Sequence, residues 1–156
     1  VRKEIRLGHR GIGLSQFGFS PDKKTLFLFG GSQGSLALNR AMDQMIQSFS
    51  ISDTQVIWQT GKTHYGHYRH HENELCKVRP FIEDMANAYA ASDLVLSRSG
   101  AITCSELTVC GKPSILIPFP AAAAGDGSAR GCHESRFLLN VQRTTGTFGR
   151  DKFSTH

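Results

Sequence analysis

Thr25-Leu26-Phe27-Leu28-Phe29-Gly30-Gly31-Ser32-Gln33-Gly34-Ser35 is the stretch on which the fold turns. Its first five residues are almost wholly apolar, without the alternation of a half-exposed strand, and they end in a glycine pair. A short unbroken apolar run bounded by turn residues is the pattern of a strand buried on both faces. Beyond the glycines, Leu38, Met42, Met45 and Phe49 recur every three or four residues, which predicts a helix with one core-facing stripe.

The same alternation runs outward from there. Gln55 to Thr60, closed by Gly61-Lys62, reads as a second strand, and Cys76 to Phe81 as a third. Glu83 to Ala91 reads as an alanine-rich helix and Asp93 to Ser97 as a fourth strand. Thr103 to Cys110 reads as a short helix stopped by Gly111, and Ser114 to Phe119 as a fifth strand. Strands separated by helices imply right-handed crossovers, so the expected class is α/β, a Rossmann-like open parallel sheet flanked by helices. In such sheets ligands bind at the carboxyl ends of the strands, so the informative residues should lie just past each strand.

Two such turns stand out. Gly30 to Ser35 is a glycine-rich turn opening a helix, where backbone N–H groups and the helix N-terminus can meet a diphosphate. The same glycines serve equally a tight turn that needs positive φ. The second turn, Arg98-Ser99-Gly100-Ala101-Ile102-Thr103, leads into the helix that carries Glu106. Glu106 could accept hydrogen bonds from the two hydroxyls of a ribose. The spacing Thr103-x-x-Glu106 also matches a capping box, with Thr103 as cap and Glu106 reaching back to its N–H, and spacing alone favours that structural role.

With 39% hydrophobic and 20% charged residues in 156, the chain can bury one core and not two. No apolar run is long enough to span a bilayer. The net charge of +5 is concentrated in the tail: from Gly127 on, Arg130, Arg136, Arg143, Arg150 and Lys152 face only Glu134 and Asp151. The remainder is nearly neutral, which argues against a nucleic-acid footprint. Cys76, Cys104, Cys110 and Cys132 form no CxxC pair and read as reduced thiols of a cytosolic protein. His64-Tyr65-Gly66-His67-Tyr68-Arg69-His70-His71 reads as a solvated loop rather than a metal site, because a structural zinc site generally brings cysteines or a defined helix.

Taken in order, Gly30-Gly31-Ser32-Gln33-Gly34, Asn39, Trp58-Gln59-Thr60-Gly61-Lys62, Pro80-Phe81-Ile82-x-Asp84-Met85, Ala88-Tyr89-Ala90, Ser97-Arg98-Ser99-Gly100-Ala101-x-Thr103-x-Ser105-Glu106 and Gly111-Lys112-Pro113 to Pro120 resemble the MurG family. These are inverting hexosyltransferases of GT-B architecture that move N-acetylglucosamine from UDP to the C4 hydroxyl of lipid-linked N-acetylmuramoyl-pentapeptide, turning lipid I into lipid II in peptidoglycan biosynthesis. The resemblance covers Val1 to about Asp126 and implies the C-terminal, donor-binding half. It places Gly31, Ser32, Gln33 and Gly34 at the donor's diphosphate and sugar, and Phe81, Ile82 and Met85 at the uracil, Ile82 through its backbone. It places Ser99, Gly100, Ala101, Ile102 and Thr103 at the diphosphate, Glu106 at the ribose, and Arg2 in the donor site. The residue types alone would make Phe81, Ile82 and Met85 ordinary core.

The resemblance further implies that the general base and the acceptor pocket lie in an N-terminal domain, so no catalytic residue is expected in this chain, and the fragment alone is expected to be inactive. No cofactor or metal is expected; no Asp-x-Asp pair is present to hold a cation on a diphosphate. The full enzyme would be cytoplasmic and peripheral at the inner face of the bacterial membrane, attached through the other half. Because the chain opens at Val1 in a charged segment, it reads as a fragment. The division expected is a UDP-sugar-binding domain over residues 1–126 and an atypical basic tail over 127–156. That tail departs from the family, lacking the Asp-His-Gln segment and its sugar-contacting glutamine, and the abrupt change near Asp126 reads as a shift of reading frame, which resequencing the coding region tests. The rival readings are another UDP-sugar GT-B enzyme, such as an epimerase or a different lipid glycosyltransferase, and a non-catalytic nucleotide-binding remnant.

Overall fold

The computed structural model describes residues 3–48, 53–118 and 140–142. Its strands are β1 (Lys24–Phe29), β2 (Thr54–Gln59), β3 (Cys76–Arg79), β4 (Leu94–Arg98), β5 (Ser114–Ile117) and β6 (Asn140–Gln142). Its α-helices are α1 (Arg10–Phe17), α2 (Leu36–Ser48), α3 (Lys62–Tyr68), α4 (Met85–Ala91) and α5 (Ala101–Cys110). The strands form one sheet in the order β3-β2-β1-β4-β5-β6. The first five are mutually parallel, as expected of strands joined by helical crossovers. The sixth pairs antiparallel with β5, so the sheet is mixed at that edge, a feature the sequence pattern did not announce.

The unbroken apolar strands are explained by what covers them. Successive side chains of a strand point to opposite faces. Phe27 and Phe29 accordingly join a core with Ile57, Val95, Ala88, Tyr89, Leu14 and Leu107, beneath α1, α4 and α5. Leu28 faces the other way into a core with Val56, Trp58, Val78, Tyr68 and Met42, beneath α2 and α3. The result is a sheet between two helical layers, the doubly covered arrangement the apolar runs required. Leu38 and Met42 of the expected stripe are buried and Met45 packs at the edge of that core, while Phe49 lies outside the described residues.

Two expectations need correction. The histidine-rich segment is not a loop: α3 covers its first part and a 3-10 turn, Arg69–His71, the rest. Tyr68, buried against Trp58 at a ring separation of 5.1 Å, anchors it, so tertiary packing overrides an unpromising local sequence. The helix expected from Glu83 starts at Met85, with Asp84 outside it as cap. The N-terminal 3-10 turn Lys3–Leu7 and α1 were not legible at all. Helix α1 has only eight residues and three glycine or serine positions, too little pattern for a period to emerge, and its Leu14 and Phe17 find their place against α4.

The described cysteines, Cys76, Cys104 and Cys110, are free thiols, and burial pushes Cys76 up to about 11. Cys132 lies outside the described residues. Among the described residues no helix is long and apolar enough to cross a membrane.

Candidate functional site

The strand order reverses between β1 and β4: from β1 the sheet grows toward β2 and β3 on one side and toward β4 and β5 on the other. In open parallel sheets that reversal opens a crevice beyond the carboxyl ends of the two central strands. Phe29 pairs with Ser97, so the chain leaves both strands at the same level. Both candidate turns, Gly30 to Ser35 and Ser99 to Thr103, therefore leave the sheet from neighbouring strands at the same level.

The first turn is held by its neighbours. Gly34 N–H donates to the Gly31 carbonyl at 3.2 Å, and the Asn39 N–H to the Ser35 carbonyl at 2.9 Å starts the helical bonding of α2. Gly34 has φ +81° and packs on the backbone after β2, where a Cβ would collide with the Thr60 carbonyl oxygen. Gly61, at φ +83°, reciprocates against the Gln33 carbonyl. Both need positive φ and have no room for a side chain, which is what the tight-turn reading of these glycines requires. Ser32 and Gln33 are exposed at the tip of the turn.

The second turn corrects the capping box. Helix α5 starts at Ala101, not Thr103, and its N-cap is Gly100, which offers no side-chain hydrogen bond. The first intrahelical bond, Cys104 N–H to the Gly100 carbonyl at 2.9 Å, leaves the N–H groups of Ala101, Ile102 and Thr103 as the uncapped donors of the helix end. Ala101 and Ile102 are exposed, Ile102 by 71%. Ser99 fastens the turn to the neighbouring strand through its N–H to the Ile117 carbonyl at 3.0 Å.

Glu106 does not reach back to any cap. It is 5% exposed, and its Oε2 accepts a hydrogen bond from the Tyr89 hydroxyl at 3.1 Å. Tyr89 is locked edge-on against Phe27 and Phe29 at 5.7 and 5.9 Å, which fixes the hydroxyl. The other carboxylate oxygen, Oε1, is buried with no partner among the described residues, as is Ser97 Oγ at the end of β4. A buried carboxylate oxygen left unmatched is costly, and such orphans are few in folded proteins.

The third cluster divides. Ile82 and Met85 are buried members of the core, whereas Phe81 is 40% exposed. The Ile82 N–H is already used: it donates to Gln59 Oε1 at 2.8 Å. A backbone contact to a base is thereby confined to the Ile82 carbonyl. Beyond its place in the motif Trp58 to Lys62, nothing in the sequence marks Gln59 for a role. It is 2% exposed at the end of β2, and its Nε2 donates to the Gly31 carbonyl at 3.0 Å. Asn39 is placed similarly, accepting from the Trp58 indole N–H at 2.9 Å and donating to the Thr60 carbonyl at 2.9 Å. Arg2, and the stretch 119–139 where the sugar-contacting glutamine was sought, lie outside the described residues.

Among the described residues, Asp43, His70 and His71 offer ligand atoms within 4.8 Å of one another. His71 Nε2 stands 2.6 Å from Asp43 Oδ1, the length of a direct hydrogen bond. Two ligands of one tetrahedral zinc, each at roughly 2.0–2.1 Å, would stand about 3.3 Å apart. The trio is thus arranged as a hydrogen-bonded pair with a flanking imidazole. Burial works against the charge of Asp43, but hydrogen bonds from Gln47 and His71 and the charge of His71 outweigh it and hold the carboxyl below its ordinary value.

Residues 25–128 match the model of the glycosyltransferase family 28 C-terminal domain. The chain is 45% identical over 124 residues to the "UDP-N-acetylglucosamine--N-acetylmuramyl-(pentapeptide) pyrophosphoryl-undecaprenol N-acetylglucosamine transferase" of Aquifex aeolicus, covering 78% of this chain and 36% of that protein. It is 42% identical over 107 residues to the protein of the same name from Cytophaga hutchinsonii, covering 69% of this chain and 29% of the other. The crystal structure of Acinetobacter baumannii MurG superposes with a TM-score of 0.59 at 26% identity, covering 71% of this chain and 33% of that one. The chain therefore spans about a third of the length of the proteins it matches.

Proposed function

The chain belongs to the family of glycosyltransferase family 28 C-terminal domains, and from that premise we propose that it binds UDP-N-acetylglucosamine as the donor half of a two-domain transferase. The acceptor is lipid-linked N-acetylmuramoyl-pentapeptide, and the reaction is the one for which its relatives are named. One observation carries the reading: α5 begins with uncapped, exposed amides at the reversal of strand order, and one turn further on it buries a carboxylate with an unfilled oxygen. That spacing suits a nucleoside diphosphate, phosphates on the amides and ribose hydroxyls on Glu106 Oε1.

The uracil lies against Phe81, with the Ile82 carbonyl accepting from its imide N–H and Met85 closing the pocket from the core side. The acceptor's C4 hydroxyl attacks the anomeric carbon and the C–O bond to the diphosphate breaks with inversion. Negative charge grows on the leaving UDP, where the N-termini of α2 and α5 stabilise it by fixed dipoles. Such stabilisation operates without a metal. The general base and the acceptor site belong to the partner domain, and so does attachment to the inner face of the membrane.

Titration calorimetry on the folded chain tests the donor reading. UDP binding in the micromolar to millimolar range, with UDP-N-acetylglucosamine bound and UDP-glucose and UDP-galactose not preferred over it, is the expected result. No heat from millimolar UDP on a demonstrably folded chain would sink the reading, and preference for UDP-glucose would move it to another UDP-sugar enzyme.

A further inference from the structure

The Gln59 side chain bonds to two of the three ligand-facing segments. It stands at the end of β2, 2% exposed, with its amide spent in both directions. Its Nε2 donates to the Gly31 carbonyl in the glycine-rich turn at 3.0 Å. Its Oε1 accepts from the Ile82 N–H at 2.8 Å in the segment after β3. In sequence these partners lie 28 residues before Gln59 and 23 after it. Elsewhere in the motif Trp58-Gln59-Thr60-Gly61-Lys62 the bonds run differently: Trp58 donates to Asn39 of α2, and Thr60 bonds to Gly61, to Arg79 and to that same Asn39.

We propose that Gln59 is a positioning residue that couples the diphosphate turn to the base pocket, so that the two ends of the nucleotide are presented at a fixed separation. The inference deepens the donor-binding reading and rests on it. A primary amide is the group the site requires, because one end must donate to a carbonyl and the other accept from an N–H. A carboxylate in the same place keeps the acceptor for Ile82 and sets a negative oxygen against the Gly31 carbonyl. A neutral carboxyl restores the donor, and burial favours that neutral form.

The test is made on the full chain with uridine and UDP as probes, followed by calorimetry and amide chemical shifts from pH 8 to pH 5, with circular dichroism to verify folding. The variant Gln59→Glu is expected to bind UDP at least tenfold more weakly than the parent at pH 8 and to recover toward the parent at pH 5. Its uridine affinity stays within twofold throughout, because the Ile82 link survives. The uncharged Gln59→Met, which loses both links, is expected to weaken uridine and UDP together. The parent at each pH is the reference, which removes the phosphate's own titration. The proposal is overturned if Gln59→Met binds UDP as the parent does, or if Gln59→Glu loses uridine along with UDP. Should Gln59→Met fail to fold, the Gln59→Glu pH profile decides alone. A parent chain that binds neither probe brings down the donor-binding reading and this inference with it, whereas a binding parent with an indifferent Gln59 brings down the inference alone.

Discussion

Glu106 shows how one residue's chemistry depends on where its helix starts. Had α5 begun at Thr103, the carboxylate would have been spent on the backbone; because it begins at Ala101, Glu106 turns inward to Tyr89 and keeps one oxygen unmatched. Replacing it with glutamine keeps an acceptor for Tyr89 and removes a buried charge, so thermal stability should not fall. Hydrogen bonds to a charged acceptor are worth about 1.5–3 kcal/mol, so Glu106→Gln should weaken UDP roughly tenfold or more. Calorimetry beside a melting curve checks both halves. A variant that melts lower yet binds UDP unchanged would mean that Glu106 serves the core and not the ligand. The amino-acid types at positions 81, 82 and 85 carried less information: all three are apolar, and only packing separates exposed Phe81 from buried Ile82 and Met85. Gln59 was legible as part of a motif and silent about its job, since both its partners are backbone groups that any residue supplies.

Among the elements, α4 illustrates how a boundary is set. Asp84 sits outside the helix and accepts from the Asn87 N–H at 3.0 Å, with Gln16 of α1 adding a bond at 3.2 Å. That backbone bond first, then the side-chain bonds from Gln16 and Asn87, hold its carboxyl below the ordinary 3.8 against the opposing effect of burial. Losing such a cap typically costs about 1 kcal/mol, so Asp84→Ala should be destabilised by that order at neutral pH. A value depressed in the folded state stabilises fully above the unfolded value and less as pH falls through the folded one. The gap between parent and Asp84→Ala should therefore be constant from neutral down to about pH 5 and narrow only near pH 3. Thermal melts across that range read it; a gap that stays constant at pH 3 would show that charge plays no part. Strands and the longer helix were recoverable from sequence because their pattern repeats, as in Leu38 and Met42 or Thr25 to Phe29. Short elements were not: α1 and α3 owe their form to Phe17 packed by Phe19 and Tyr68 packed by Trp58.

Across the whole molecule, the two cores lie on opposite faces of one sheet and share its strands, so they should unfold together. Trp58, the sole tryptophan, is fully buried on β2 and reports that event. Its fluorescence and far-ultraviolet circular dichroism should give coincident transitions. A ligand bound only by the folded chain adds about 2.7 kcal/mol at a hundredfold excess over its dissociation constant, so saturating UDP should raise the midpoint by several degrees in both signals. Transitions that separate, with UDP moving only one, would mean that the β4–β5 side folds independently of the β1–β3 side.

By itself the sequence determined the class of fold and the order of its strands, helices and glycine-rich turns. Unbroken apolar strands can be satisfied only by burial on both faces, and glycine-rich turns after strands mark where a backbone must come close to something else. Tertiary structure decided where those turns stand. Strand order places the turns after β1 and β4 together, although 68 residues separate Phe29 from Ser97 in the chain. Whether Glu106 caps or binds, and whether Gln59 fills space or joins two segments, depends on long-range neighbours, because a hydrogen-bonding group acquires its function from the partner it faces and that partner is brought by the fold.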